Sequence, residues 1–151
     1  MKRLKIYFAA AIRGGRTDAA RYQQLIAFLQ TTHQVLTEHI GATDLTATGE
    51  TALTDAEIYQ RDLHWLTTCD VVVAETTQPS LGVGYELAYA EKIGKPVLIL
   101  QQQGPQKLSA MISGAPYFQR VFTYRTVAQA QTILQRELGF ISGTKPPKMI
   151  E

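Results

Sequence analysis

The stretch that decides the fold is Val71-Val72-Val73-Ala74, continued through Glu75-Thr76-Thr77-Gln78-Pro79-Ser80-Leu81-Gly82-Val83-Gly84-Tyr85-Glu86 into a helical pattern. A short β-branched apolar run, a glycine-bearing loop and a helix over Gly82–Ile93 make one strand-to-helix unit. The same alternation recurs on both sides of it. Strands are expected at Leu4–Phe8, Gln34–Thr37, Val71–Ala74, Pro96–Leu100 and Gln119–Phe122. Helices are expected at Thr17–Gln30, Asp55–Thr67, Gly82–Ile93 and Val127–Leu138, with a short one near Leu108–Ser113. Thr54 with Glu57, and Thr126 with Gln129, have capping-box spacing, so each pair can satisfy free backbone donors at a helix start. Strands alternating with helices indicate an α/β domain with a parallel sheet.

In such sheets ligands bind beyond the carboxyl ends of the strands, where the strand order reverses. That directs attention to the loops after the strands: 9–16, 38–54, 75–84 and 101–109. At 151 residues and 45% hydrophobic content the chain has the size of one domain. Its net charge of +2 comes from scattered basic residues, which does not call for a nucleic-acid polymer as partner. One cysteine, Cys69, and no clustered Cys/His spacing point to neither a disulfide scaffold nor a metal. Lys2 and Arg3 before an apolar run imitate a secretion signal, but Lys5 interrupts it and Arg13 and Arg16 follow at once. No run of 18 or more apolar residues offers a membrane span, so a cytoplasmic protein is expected.

Within the deciding stretch, free N–H groups and a positive helix end could hold a phosphate. The dinucleotide fingerprint fails, because Gly82 and Gly84 lack a third glycine, replaced by Leu87, and the loop follows the third strand instead of the first. Glu86 falls inside the apolar arc of Val83, Leu87, Ala90 and Ile93. A glutamate near a helix start is favoured by the dipole in any case, by about 0.3–1 kcal/mol. The same dipole is expected to keep a half-buried Glu86 ionised, as a nucleophile requires. Asp62 occupies the middle of the arc of Ile58, Tyr59, Leu63, Trp65 and Leu66, where a carboxylate is costly unless paired. It serves either as a structural carboxylate or, with Glu86, as the second member of a glycosidic pair of acid and nucleophile. The first loop, Ala9-Ala10-Ala11-Ile12-Arg13-Gly14-Gly15-Arg16, offers small residues and an arginine able to grip an anion, although a tight turn with solvated arginines would read the same way. His39 and His64 have no catalytic or metal spacing; His39 is placed near the pocket. Phe28, Phe118 and Phe122 read as core.

Taken together, Tyr7-Phe8, Ile12 to Arg16, Leu36 to His39, Asp62 to Leu66, Asp70 to Glu75, Gln78 to Leu87 and Leu108 to Ile112 resemble the 2′-deoxynucleoside 5′-monophosphate N-glycosidases, relatives of the nucleoside 2-deoxyribosyltransferases. The resemblance runs from Leu4 to about Leu138. For the fold it implies a single-domain, Rossmann-like (flavodoxin-like) open parallel sheet of about five strands flanked by helices, spanning 1–140, with a loose tail over 141–151. For the chemistry it implies a covalent deoxyribosyl intermediate on Glu86, Asp62 at the departing base, and Tyr7 against the sugar. Ile12, Arg13, Gly14, His39, Ser80, Gly82 and Gly84 would bind the deoxynucleotide. Ser109 would be supplied by the neighbouring subunit of a homodimer. No cofactor, metal or membrane is implied. Ala10-Ala11 departs from the expected Gly-Ser and removes a hydroxyl from the pocket. The alternatives are a base-exchanging transferase, for which the absence of any Asn is unfavourable, and a nucleotide sensor, which would need neither carboxylate.

Overall fold

The computed structural model describes residues 2–12, 18–41 and 52–143. Its strands are β1 (Lys5–Ala9), β2 (Gln34–Val35), β3 (Val71–Glu75), β4 (Val97–Gln102) and β5 (Val121–Tyr124). They form one sheet in the order β2-β1-β3-β4-β5, with every pairing parallel. The helices are α1 (Ala19–Gln30), α2 (Asp55–Thr68), α3 (Leu81–Lys92), α4 (Ala110–Ser113) and α5 (Val127–Ile141). The α/β expectation and both capping boxes are met: Thr54 and Thr126 each accept from the backbone three residues on, and Glu57 and Gln129 reach back. No helix among the described residues is long and apolar enough to cross a membrane.

The sheet is covered on both faces, which is why its central strands are continuous apolar runs. Ile6, Phe8, Val71, Val73, Leu98 and Leu100 pack with residues of α1 and α5. Tyr7, Ala9, Val72, Ala74, Val97 and Ile99 pack with Leu66 of α2 and with Val83, Leu87 and Ala90 of α3. Because side chains alternate across a strand, one position separates a core residue, Phe8, from a residue facing α2 and α3, Tyr7. The order reverses at β1: the chain first moves outward to β2, then crosses back to β3 on the other side. The crevice that this leaves at the carboxyl ends of β1 and β3 is where α/β sheets bind ligands.

Several expected boundaries shift, those of β2, β4 and β5 for local reasons. The strand expected to reach Thr37 ends at Val35, because the Thr37 hydroxyl accepts from the Phe8 N–H at 2.8 Å and donates to the Phe8 carbonyl at 2.7 Å. That side chain replaces the ladder, and a 3-10 turn, Glu38–Gly41, follows. At the other end of the sheet, β4 and β5 end two residues later than expected, at Gln102 and Tyr124. They close on the buried Glu75, whose carboxylate accepts from Tyr124 Oη (2.6 Å), Arg21 Nε (3.0 Å) and the Thr77 N–H (2.6 Å). A buried charge is tolerable when satisfied in this way, and it anchors α1 to the sheet end. Helix α5 continues to Ile141, and the remainder of the expected tail, 144–151, lies outside the described residues.

Candidate active site

Tyr7, Asp62 and Glu86 meet beside the β1–β3 crevice, each from a different element: β1, α2 and α3. The Tyr7 side chain neighbours the Glu86 carboxylate and favours its ionised form. Glu86 Oε1 bends back over the start of its own helix, so that a Cβ added at Gly82 would stand 3.8 Å from it and 3.7 Å from Ser80 Oγ. Among the described residues Glu86 Oε2 is buried without a hydrogen-bond partner. An oxygen in that state keeps its lone pairs available.

The charge state expected for Glu86 needs correction. Because α3 starts at Leu81, Glu86 lies beyond its first turn, where the dipole fades. Burial of the carboxylate pushes its pKa up to about 7; the Tyr7 hydrogen bond pulls it down, and the Asp62 charge adds to the rise. Tyr7 itself is pushed well above an ordinary phenol by burial and by the charges of Glu86 and Asp62, with Arg61 opposing. The phenol therefore stays a hydrogen-bond donor. If only ionised Glu86 reacts, kcat/KM should rise with pH and level off above about 7. Asp62→Asn removes a like charge and should move the midpoint to lower pH. Tyr7→Phe removes a bond that favours the carboxylate and should move it up. A pH-rate profile of the three proteins measures both shifts.

Asp62 also differs from expectation. It lies at the rim of the cleft instead of the centre of a buried face, since Leu66 is the one residue of α2 that is fully buried and Tyr59 is half exposed. Its Oδ1 accepts from Arg61 Nε at 3.0 Å and forms an ion pair with Nη2 at 3.0 Å. The guanidinium lies over the Trp65 ring at 4.8 Å, and its Nη2 is 3.4 Å from His39 Nε2. His39 and Trp65 are themselves in ring contact, with centroids 5.8 Å apart. His39 therefore lies beside Asp62 and Arg61; Arg61 was not singled out from the sequence, and Trp65 was read only as part of an apolar arc. The signal was their i,i+4 spacing on one helix, which places a cation above an aromatic ring. Further out, the Tyr59 and Tyr85 hydroxyls share a 3.3 Å hydrogen bond that ties α2 to α3.

The anion-binding candidates divide. Ser80 caps α3, its Oγ accepting from the Val83 N–H at 3.3 Å. Ser80, Gly84, Leu87, Leu108, Ser109 and Ile112 line a cavity of about 760 Å³ between α3 and α4. Within one chain Ser109 thus shares a cavity with Ser80, and Glu86 is not among the residues lining it. Ile12 is partly buried against the core on the opposite sheet face. Arg13 and Gly14 lie outside the described residues.

The fold and this carboxylate-centred site define an α/β enzyme. A family model, nucleoside 2-deoxyribosyltransferase, matches residues 6–130, and the chain belongs to that family. It is 52% identical over 114 residues to the 5-hydroxymethyl-dUMP N-hydrolase of Tetraodon nigroviridis, covering 74% of this chain and 80% of that protein. To the protein of the same description from Danio rerio it is 49% identical over 120 residues, 77% of this chain and 84% of the relative. Among solved structures, the CMP N-glycosidase of Clostridium botulinum shares the fold, with a TM-score of 0.60, 18% identity, and coverage of 89% of this chain and 98% of that one.

Proposed function

We propose that the chain hydrolyses the N-glycosidic bond of 2′-deoxynucleoside 5′-monophosphates, releasing the base and 2-deoxyribose 5-phosphate. The observation that carries the mechanism is the Glu86 carboxylate, set beside Tyr7 and with Oε2 buried without a partner among the described residues. Oε2 attacks the anomeric carbon, and the bond to the base breaks with its electron pair leaving on the base. Water then cleaves the glycosyl ester. Two inversions give net retention, so methanol in place of water should yield the methyl glycoside of retained configuration. Asp62, across the cleft, contacts the departing base or assists its protonation. Relatives described as N-hydrolases favour water as the acceptor, and the family's transferase description makes base exchange the competing outcome. Incubation with deoxynucleoside monophosphates, with and without an added free base, tests this directly. Free base and sugar phosphate in both reactions are expected; a product formed only when an acceptor base is present would replace hydrolysis by transfer.

The phosphate is assigned to Arg13, Ser80 and the backbone near Gly14, Gly82 and Gly84. Because Ser80 Oγ acts as acceptor toward Val83, its hydroxyl proton is left to donate to the anion. The chain acts as a homodimer in which the partner's Ser109 completes the phosphate site. What supports this is the apolar surface around Ser109: Leu81 is 97% and Met111 83% exposed beside the α3–α4 cavity. A mixture of Glu86→Ala and Ser109→Ala subunits should regain activity that neither parent has, since the mixed dimer holds one site free of both changes. Full activity of a monomer by light scattering would overturn the arrangement.

A further inference from the structure

Arg61 has no part in the chemistry described so far, yet it lies beside its centre. Its side chain is 22% exposed, its two bonds to Asp62 and its seat on Trp65 hold the guanidinium plane, and His39 borders its edge. Arginine is the residue type suited to this position, because a planar, permanently charged fork can stack and donate at once.

The movement of charge in the reaction gives this cation its role. Before attack the negative charge is on Glu86. As the new C–O bond forms and the C–N bond breaks, Glu86 becomes a neutral ester and the electron pair passes to the base. The negative charge has then moved to the Asp62 side of the cleft. Beside an unopposed Asp62 carboxylate, an anionic leaving group would meet a like charge, which raises the barrier. Asp62 Oδ1 is occupied by one hydrogen bond and an ion pair from the Arg61 guanidinium, so the pair presents charge of both signs to the base. Resting on the hydrolase reading above, we propose that Arg61 is a further catalytic residue, the cation that takes up the charge developing on the nucleobase as its bond to the sugar breaks. The base leaves as an anion and takes its proton from water afterwards; atoms and charge balance without a second acid. Bases whose anions are stable are then the better substrates.

The test uses three deoxynucleotides of nearly equal size whose bases fall in acidity: 6-aza-dUMP, 5-fluoro-dUMP and dUMP. Their kcat/KM is measured for the unmodified protein, Arg61→Gln and Arg61→Lys. Removal of a preorganised charge donor costs about 10²–10³-fold where the charge is greatest. Arg61→Gln should therefore lose about 10²-fold on dUMP and much less on 6-aza-dUMP, and Arg61→Lys should recover part of the loss on dUMP. Equal losses on all three, or no recovery with lysine, would overturn the proposal and leave Arg61 as a residue that only positions Asp62. A second readout does not need turnover. In the presence of 2-deoxyribose 5-phosphate, 5-fluorouracil should bind the unmodified protein more tightly as pH rises through its own ionisation, and Arg61→Gln should lose that dependence. If no nucleotide is cleaved, the hydrolase reading fails, and this titration still decides for or against Arg61. Binding that ignores the charge of the base, or no binding at any pH, counts against it.

Discussion

Glu86→Gln is expected to lower kcat by about 10⁴-fold or more, the scale reached when a nucleophile is removed, while nucleotide affinity stays within a few-fold. The amide keeps the shape and can still accept from Tyr7, but it has no charge to deliver to the anomeric carbon. Single-turnover kinetics with isothermal titration separate the two effects. Residual activity within 10-fold of the parent would mean that water attacks the sugar directly. The same variant has a stability signature of known sign. Folding raises the pKa of Glu86 from 4.5 to about 7, so the native chain keeps a proton that the unfolded chain releases across that interval. Native stability attributable to this group falls as pH rises through the window. Glu86→Gln escapes the penalty and should melt higher than the parent at pH 8, with the difference vanishing near pH 4. Coincident melting curves at both values would show that the carboxylate is not desolvated. A group kept for chemistry at a cost in stability is what a functional site predicts.

The second large effect is on the substrate. A deoxynucleoside lacking the 5′-phosphate should be cleaved with kcat/KM about 10²–10⁴-fold below that of its monophosphate. In the proposed phosphate site, two or three charge-assisted hydrogen bonds from Arg13, Ser80 and the partner's Ser109 would each be worth about 1.5–3 kcal/mol, not all of it additive. Part of the loss should fall on kcat, because binding energy at a remote phosphate orients the reacting sugar. Ser80→Ala should lose activity on the monophosphate and little on the nucleoside, narrowing the gap between them. Comparable parent rates on both substrates would remove the phosphate site from this account and return the free 5′-hydroxyl, and with it base exchange, to consideration.

The strands and helices were legible because each carried its own local signal. The runs Ile6–Phe8 and Val71–Ala74 are β-branched or apolar throughout, and Thr54 and Thr126 announce helix starts through partners three residues away. Glu86 was legible as a carboxylate within an apolar arc; the same pattern drew attention to Asp62, although its arc is only partly buried. The shortened β2 was not, because the Thr37 hydroxyl finds its partner in Phe8, 29 residues away. Arg61 was overlooked beside the more conspicuous Asp62, although its spacing to Trp65 was in view.

The chain by itself determined the order of strands and helices and the residue types available for chemistry, since propensity, capping and periodicity act within a few neighbours. Only the tertiary structure decided how those residues behave. It turned Tyr7 toward Glu86, set Asp62 at the cleft rim under Arg61, and brought the protonated and ionised forms of Glu86 close to balance near neutrality. Burial and Coulomb interactions depend on distances through space, between β1, α2 and α3, which spacing along the sequence does not contain.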